Sequence, residues 1–331
     1  MSGTVAQWGE RALLSALLDV MLPGAQEPEV GPGDDAAVVA TTARTVVTVD
    51  SVVAGEDWLI GQTPPDAIGH RAAAVNLSDL AAMGATPRWA VLALELNRKD
   101  DAEDVLEAAA TMSATLRRHG ATVVGGDIGI GDGPQRWTLT LMGEPGPQLL
   151  TMSAAAPEQR VWLIGEIGQA ALGLQAMLAG RGDVGLAPFI GRHLRPQPLV
   201  EVGEALAKLQ LPLACTDVSD GLWLDAARLA EQSGVGMRLH VPRPQWLSPS
   251  VGADLRALGI DWRELVVSGG DDYALVVCTP WELDLQRALS SHEDVRVVPI
   301  GETTSEQTVS LMVDGQPMVG APQGYLHGDQ P

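Results

Sequence analysis

Lysine is nearly missing from this chain: among 331 residues only Lys99 and Lys208 occur, and arginine carries almost all the positive charge. Neither lysine follows a glycine, which excludes the phosphate-binding loop G-x-x-x-x-G-K-[ST]. Protein-kinase signatures are missing too, so a nucleotide enzyme built from this chain must neutralise phosphates with metal ions and backbone N–H groups. Basic residues are outnumbered 21 to 42 by acidic ones, for a net charge of −21. That balance argues against nucleic acid or an anionic membrane as partner, because both are bound through basic surface. Cysteine is scarce, and Cys215 and Cys278 each lie in an apolar strand-like run, reading as small buried hydrophobes rather than a disulfide scaffold. One Phe and two Tyr stand against nine Trp, a skew from which no function follows. No run approaches the ~20 apolar residues of a membrane span. The N-terminus lacks a basic region, and Glu10 and Arg11 interrupt any signal-peptide core, so a reducing cytoplasm is the expected location. The histidines show no metal-ligand spacing. No nucleophile elbow, Ser-His-Asp order or dinucleotide-type G-x-G-x-x-G is present.

What the chain does have is carboxylates at glycine-marked corners. They stand in Gly33-Asp34-Asp35, Val49-Asp50, Asn76-Leu77-Ser78-Asp79, Gly125-Gly126-Asp127 and Asp217-Val218-Ser219-Asp220-Gly221, and again in Ser268-Gly269-Gly270-Asp271-Asp272-Tyr273. Carboxylates crowd together in a folded site only when cations offset their repulsion, and oxygen donors of this kind suit Mg²⁺. Singly, each has a plainer reading: turn capping at Asp34 and Asp35, a solvated stripe at Asn76 and Asp79, a helix N-cap at Asp217 to Asp220. In this order and number they predict a metal–polyphosphate site.

The length predicts two domains of roughly 150 residues, and the 46% hydrophobic content suffices for full cores. Helices are expected over the first 20 residues, from Pro64-Pro65 to a stop at Gly84, and from near Asp100 to Gly120. Strands are expected at 36–40, 44–50, 88–96, 121–124 and 136–143, placing Asp50 at a strand's C-terminal end. A Gly-, Pro- and Ala-rich stretch over 143–157 reads as the linker. The second half predicts strands at 161–164, 213–216, 237–241, 273–278 and 295–300. Its helices are expected over 169–178, up to Leu209, and from Asp217 to Gln232. A loop is expected over 192–198, and a terminal hairpin turning at Asp314-Gly315. The fold class is α/β (α+β): two mixed α/β domains, 1–145 and 146–331.

These motifs, in this order, resemble those of thiamine-monophosphate kinase, in the aminoimidazole ribonucleotide synthetase superfamily, over nearly the whole chain. The resemblance rests on G-P-G-D-D-A-A-V-V (31–39), T-V-D-S-V-V-A-G (48–55), A-V-N-L-S-D-L-A-A-M-G-A (74–85), G-G-D (125–127), R-H-L-R-P-Q-P (192–198), D-V-S-D-G-L (217–222) and S-G-G-D-D-Y (268–273). It implies ATP-dependent phosphorylation of thiamine monophosphate to thiamine diphosphate by direct in-line transfer. By position it implies Mg²⁺ ligands at Asp35, Thr48, Val49 (through its carbonyl), Asp50, Asp79, Asp127, Asp217 and Asp220. ATP contacts are implied at Gly126, Asp127 and Ser219. It further implies an active site in the cleft between the domains, and a homodimer joined through the N-terminal domains.

The departures fall mainly on the acceptor side. Asp57-Trp58 replaces His-Phe, and Asp271 replaces a glutamate. Pro322 stands where an aromatic residue stacks on thiamine, and Met152 where an arginine contacts ATP. Two alternatives therefore stay open: a related ATP-dependent phosphotransferase or synthetase acting on another small phosphorylated metabolite, and a nucleotide-binding protein with little catalysis.

Overall fold

The structure, a computed structural model, describes residues 3–22, 24, 26–32 and 36–318. The expected ligand Asp35 and the expected acceptor contact Pro322 lie outside the described residues. The chain divides into two compact units, Met1–Leu80 with Ala85–Gly146, and Ala81–Gly84 with Pro147–Pro331.

The first unit runs α1 (Val5–Trp8), α2 (Glu10–Met21), β1 (Val46–Val53), α3 (Pro65–Ala82), β2 (Ala85–Asn97), α4 (Ala102–Arg118), β3 (Thr122–Gly131) and β4 (Arg136–Pro145). Its four strands are ordered β1-β4-β2-β3, with β1·β4 and β4·β2 antiparallel and β2·β3 parallel. One face is apolar: Trp137, Leu139, Leu141, Leu92, Leu94 and Leu96 alternate into the core, as a strand's period of two requires. Helix α3 begins on a proline and stops before Gly84, whose φ of 64° only glycine adopts without strain. It lies so close to α4 that a Cβ at Gly69 would stand 1.8 Å from the Ala108 carbonyl oxygen. Helix α4 is capped by the Asp101 carboxylate accepting from the Glu103 N–H, with Glu103 and Asp104 in its first turn and Arg117 and Arg118 in its last, matching the helix dipole at both ends.

Two expectations are corrected here. The strand at 36–40 does not form; Val38 makes only an isolated bridge to Val30. Val38 is 47% exposed, so the run has no apolar face to bury. Strand β1 continues past Asp50 through Val53 because Val52 extends the buried alternation, so Asp50 is a mid-strand residue.

The second unit runs β5 (Arg160–Ile164), α5 (Gln169–Leu178), α6 (Ala187–Leu194), α7 (Val200–Lys208), β6 (Ala214–Val218), α8 (Leu222–Ser233), β7 (Gly236–Val241), α9 (Pro249–Leu258), α10 (Trp262–Ser268), β8 (Ala274–Thr279), α11 (Leu285–Ala288), β9 (Val297–Thr304), β10 (Val309–Val313) and β11 (Gln316–Pro317). Its strands are ordered β11-β10-β7-β9-β5-β8-β6. Both faces of this sheet are buried. Val161 and Leu163 of β5 join one core cluster, while Trp162 and Ile164 join another. Cys278 and Cys215 fall into these two clusters as free, buried thiols, and burial pushes the Cys278 thiol up to about 12. The expected hairpin forms at Asp314-Gly315, both with positive φ as a type I′ turn requires. The loop expected over 192–198 starts later, because α6 reaches Leu194 and places Arg192 and His193 in its last turn. Among the described residues no helix is long and apolar enough to cross a membrane.

Candidate active site

In the first unit the structure gathers Thr48, Asp50 and Asp79. Thr48 and Asp50 share one face of β1 with Val52, which is buried, and Asp79 projects from α3. The Thr48 hydroxyl donates to Asp79 Oδ2, and the Asp50 and Asp79 carboxyl groups hydrogen-bond each other. Burial is the largest influence on Asp79 and raises its pKa, against the lowering effects of Thr48 and Asp50. Two touching carboxyls need either a shared proton or a cation. One helical turn earlier, Asn76 is fully buried; its amide nitrogen donates to Ala72 O at 3.2 Å, while its Oδ1 has no protein partner.

Asp127 lies elsewhere on the sheet. Register aligns Asp50 with Leu139, Leu92 and Gly126, and aligns Ser51 with Thr138, Ala93 and Asp127. Asp127 therefore stands on the edge strand opposite β1 and on the other, exposed face. A Cβ at Gly126 would stand 2.0 Å from the Leu92 carbonyl oxygen of the neighbouring strand, whereas one at Gly125 would meet nothing. Val49 points to that same exposed face, with its side chain 59% exposed.

In the second unit β6 carries Asp217, which is buried, into the turn that starts α8. The turn is held by a residue the sequence reading missed, Asp225. Its Oδ2 accepts the N–H of Ser219 at 3.1 Å and of Asp220 at 3.0 Å. Burial, followed by the Asp220 charge, pushes Asp225 up to about 7 against the opposing pull of the two amides and Arg228. Arg228 reaches both acids, Asp220 Oδ2 at 3.0 Å and Asp225 Oδ1 at 3.3 Å. The available signal was an aspartate inside the apolar run Leu222-Trp223-Leu224-Asp225-Ala226.

The Ser268 to Tyr273 segment is tied directly to this turn. Asp271 N–H donates to Ser219 O and Tyr273 N–H to Val218 O, each at 2.9 Å. A Cβ at Gly270 would come within 2.4 Å of the Ser219 carbonyl oxygen, so glycine is needed for the approach. Asp271 meets the Tyr273 hydroxyl at 3.1 Å and the buried His193 Nδ1 at 3.8 Å, which gives the R-H-L-R-P-Q-P motif a structural partner. Asp272 points inward and accepts from Gly168 N–H at 2.6 Å and Ala170 N–H at 3.1 Å, at the start of α5. The two adjacent acids thus do different work.

The remaining sequence candidates stand apart. Asp57 accepts the Val53 N–H at 2.7 Å, closing the turn after β1. Met152 opens a short 3₁₀ turn (Met152–Ala154); its side chain packs against the core and its carbonyl accepts from Ser233 Oγ at 2.5 Å.

Among the described residues no three His, Cys, Asp or Glu side chains form a metal-holding group. The donors present still fit a hard cation. Thr48, Asp50 and Asp79 offer only oxygen, the two carboxyls already touch, and soft ligands are lacking.

Comparison with known proteins identifies the family. Residues 33–144 match the family model "AIR synthase related protein, N-terminal domain", and residues 156–314 match its C-terminal domain. The thiamine-monophosphate kinase of Escherichia coli K12 is 34% identical over 334 residues, covering 96% of this chain and 98% of that protein. That of Bacillus subtilis 168 is 30% identical over 309 residues, covering 90% and 93%. The crystal structure of thiamine-monophosphate kinase from Stenotrophomonas maltophilia K279a superposes with a TM-score of 0.77 at 29% identity, covering 96% of this chain and 99% of that one. With a family model on each half and such relatives along nearly its whole length, the chain belongs to the thiamine-monophosphate kinases of the AIR synthase related family.

Proposed function

We propose that the protein transfers the γ-phosphoryl group of ATP to thiamine monophosphate, giving thiamine diphosphate, by direct in-line displacement without a phosphoenzyme. The observation that carries this reading is the Thr48–Asp79–Asp50 group, an all-oxygen donor set in a chain that has no loop lysine for phosphate. Mg²⁺ held by these oxygens would offset the charge of the nucleotide and acceptor phosphates. Thr48, Asp50 and Asp79 of the first unit and Asp217 and Asp220 of the second are the proposed ligands, with Asp35 and the Val49 carbonyl completing the set; Asp127, on the other face of the sheet, is proposed for a separate ion. Gly126 and Ser219 contact ATP. Asp271, steadied by Tyr273, faces the acceptor. Positioning of this kind, rather than covalent chemistry, accounts for the rate of a phosphoryl transfer.

A second reading is favoured by one observation: the Asp57 carboxylate, an expected acceptor contact, is engaged by the Val53 N–H at 2.7 Å. Under that reading the acceptor is another small phosphorylated metabolite. The test incubates MgATP with thiamine monophosphate, with thiamine, and with no acceptor. Thiamine diphosphate formed only from the monophosphate supports the first reading. No product despite Mg²⁺-dependent ATP binding favours the second, or the non-catalytic alternative to which Met152 points.

The protein is further proposed to act in the cytoplasm as a homodimer joined through its N-terminal domains. Support comes from Val47 and Val49 at 59% exposure and Val91 at 36%, on the uncovered face of the first unit's sheet. Exposed apolar patches of this kind mark association surfaces. Replacing Val49 and Val91 together with arginine is expected to give monomers by light scattering; an unchanged dimer would remove this face from consideration.

A further inference from the structure

We propose that Asp225 is the positioning residue of the Asp217-Val218-Ser219-Asp220-Gly221 turn, and that Arg228 is a built-in counter-ion which holds Asp220 and competes with an incoming cation. The inference rests on the proposed role of this turn in binding MgATP, and it assigns work to two residues outside that ligand set.

The geometry is specific. One carboxylate oxygen, Asp225 Oδ2, receives two successive backbone amides, those of Ser219 and Asp220, at 3.1 and 3.0 Å. Successive N–H groups converging on one oxygen fix the peptide planes of both residues, and with them the directions in which the two side chains leave the turn. The other oxygen faces Arg228 Nη1 at 3.3 Å, and Arg228 Nη2 reaches Asp220 Oδ2 at 3.0 Å. Asp225 is 1% exposed, Asp220 27% and Arg228 47%. The clamp therefore has a buried anchor, a partly open acid and a half-exposed outer arm. Gly221 starts the helix at φ 111°, where a Cβ would also meet the Ser268 backbone at 2.9 Å. The turn is thus pinned from behind by Asp225 and from the side by the Ser268 segment.

Two consequences follow. Loss of the Asp225 acceptor leaves two amides without their partner and loosens the turn, so nucleotide affinity falls more than acceptor affinity, because the Ser268 segment still holds the Val218 and Ser219 carbonyls. Loss of the Arg228 charge leaves Asp220 unpaired, so a divalent cation binds there without displacing a guanidinium. The two substitutions are therefore expected to act in opposite directions on cation dependence.

The test is calorimetric titration of the full-length protein with a non-hydrolysable ATP analogue at several Mg²⁺ concentrations, together with steady-state kinetics. Asp225→Ala is expected to weaken analogue binding at least tenfold and to raise KM for MgATP equally, with KM for thiamine monophosphate within twofold of wild type. Asp225→Asn, whose amide oxygen still accepts both N–H groups, is expected to recover most of that affinity. Where Asp225→Ala is not recovered folded, Asp225→Ser carries the same comparison. Arg228→Gln is expected to lower the Mg²⁺ concentration needed for half-maximal binding by about threefold or more. Folded Asp225 variants with unchanged analogue affinity, or an Arg228→Gln protein with unchanged Mg²⁺ dependence, would overturn the inference. Wild-type protein that binds the analogue but turns over no acceptor would instead overturn the proposed function alone.

Discussion

The Tyr273 hydroxyl donates to Asp271 Oδ1 at 3.1 Å while both residues hold left-handed backbone conformations, with φ of 50° and 65°. Such conformations cost roughly 1 kcal/mol or more for residues other than glycine, and here they aim one carboxylate while the next, Asp272, turns inward. Tyr273→Phe is expected to raise KM for the acceptor about fivefold, the equivalent of one hydrogen bond of ~1 kcal/mol, with KM for MgATP unchanged. Asp271→Gly relieves the strained φ, so thermal stability is expected to hold or rise while acceptor affinity collapses. Steady-state kinetics beside a thermal melt separates the two effects. Equal changes in both KM values would show that the segment acts on the whole site.

Asp127→Asn addresses the metal assignment without touching the core. Asp127 is exposed on β3, so the melting temperature is expected to stay within a few degrees of wild type. Turnover is expected to fall at least a hundredfold, because the amide is neutral and a poorer ligand for a hard cation. Near-normal activity would strike Asp127 from the ligand set.

Much of this was legible in the sequence, for identifiable reasons. Periodicity and caps located α3, α4 and most central strands, since those elements follow local rules such as Pro65 at the start of a helix and Gly84 at its end. The Asp314-Gly315 hairpin was legible because few residues accept two positive φ values in succession. Helices α9 and α10 were missed: both are short, and their boundaries, Pro249 and Gly259 for α9 and Asp261 and Gly269 for α10, resemble loop signals. Within the site, spacing on one helix put Asn76 and Asp79 on a common face. No local rule could show that Asp50 meets Asp79, or that Asp127 stands on the opposite face of the sheet, because both depend on strand order. Asp225 was hidden for a related reason, since its partners lie in the turn before its own helix.

Gly126 offers a test of sheet geometry apart from chemistry. Its missing Cβ would fall 2.0 Å from Leu92 O, a backbone atom that cannot swing away, whereas Gly125 faces open space. Gly126→Ala is expected to cost on the order of 2–3 kcal/mol, the range of overpacking strain, and Gly125→Ala to cost well under 1 kcal/mol. Chemical denaturation of the two variants distinguishes them. Equal losses would mean that β3 does not pair with β2 in this register.

Asp272 gives the protein a pH dependence whose sign is fixed by its burial. Desolvation raises its pKa from 3.8 to about 7, overcoming the amides of Gly168 and Ala170 and helped by the neighbouring Asp271 charge. Below pH ~4 the folded and unfolded chains both carry the proton. Between ~4 and ~7 the unfolded chain has lost it while the folded chain keeps it, so stability declines as pH rises through this window and levels off above it. Asp272→Asn cannot titrate, yet it retains one acceptor for the start of α5. The stability advantage of wild type over Asp272→Asn is therefore expected to shrink between pH 5 and pH 8, by at most ~3 kcal/mol at ~1.4 kcal/mol per pH unit. Asp225 shifts in the same direction, but it is present in both proteins and cancels from the comparison. Denaturant midpoints across that range read the difference directly, and a gap that stays constant with pH would show that Asp272 is already ionised in the folded protein.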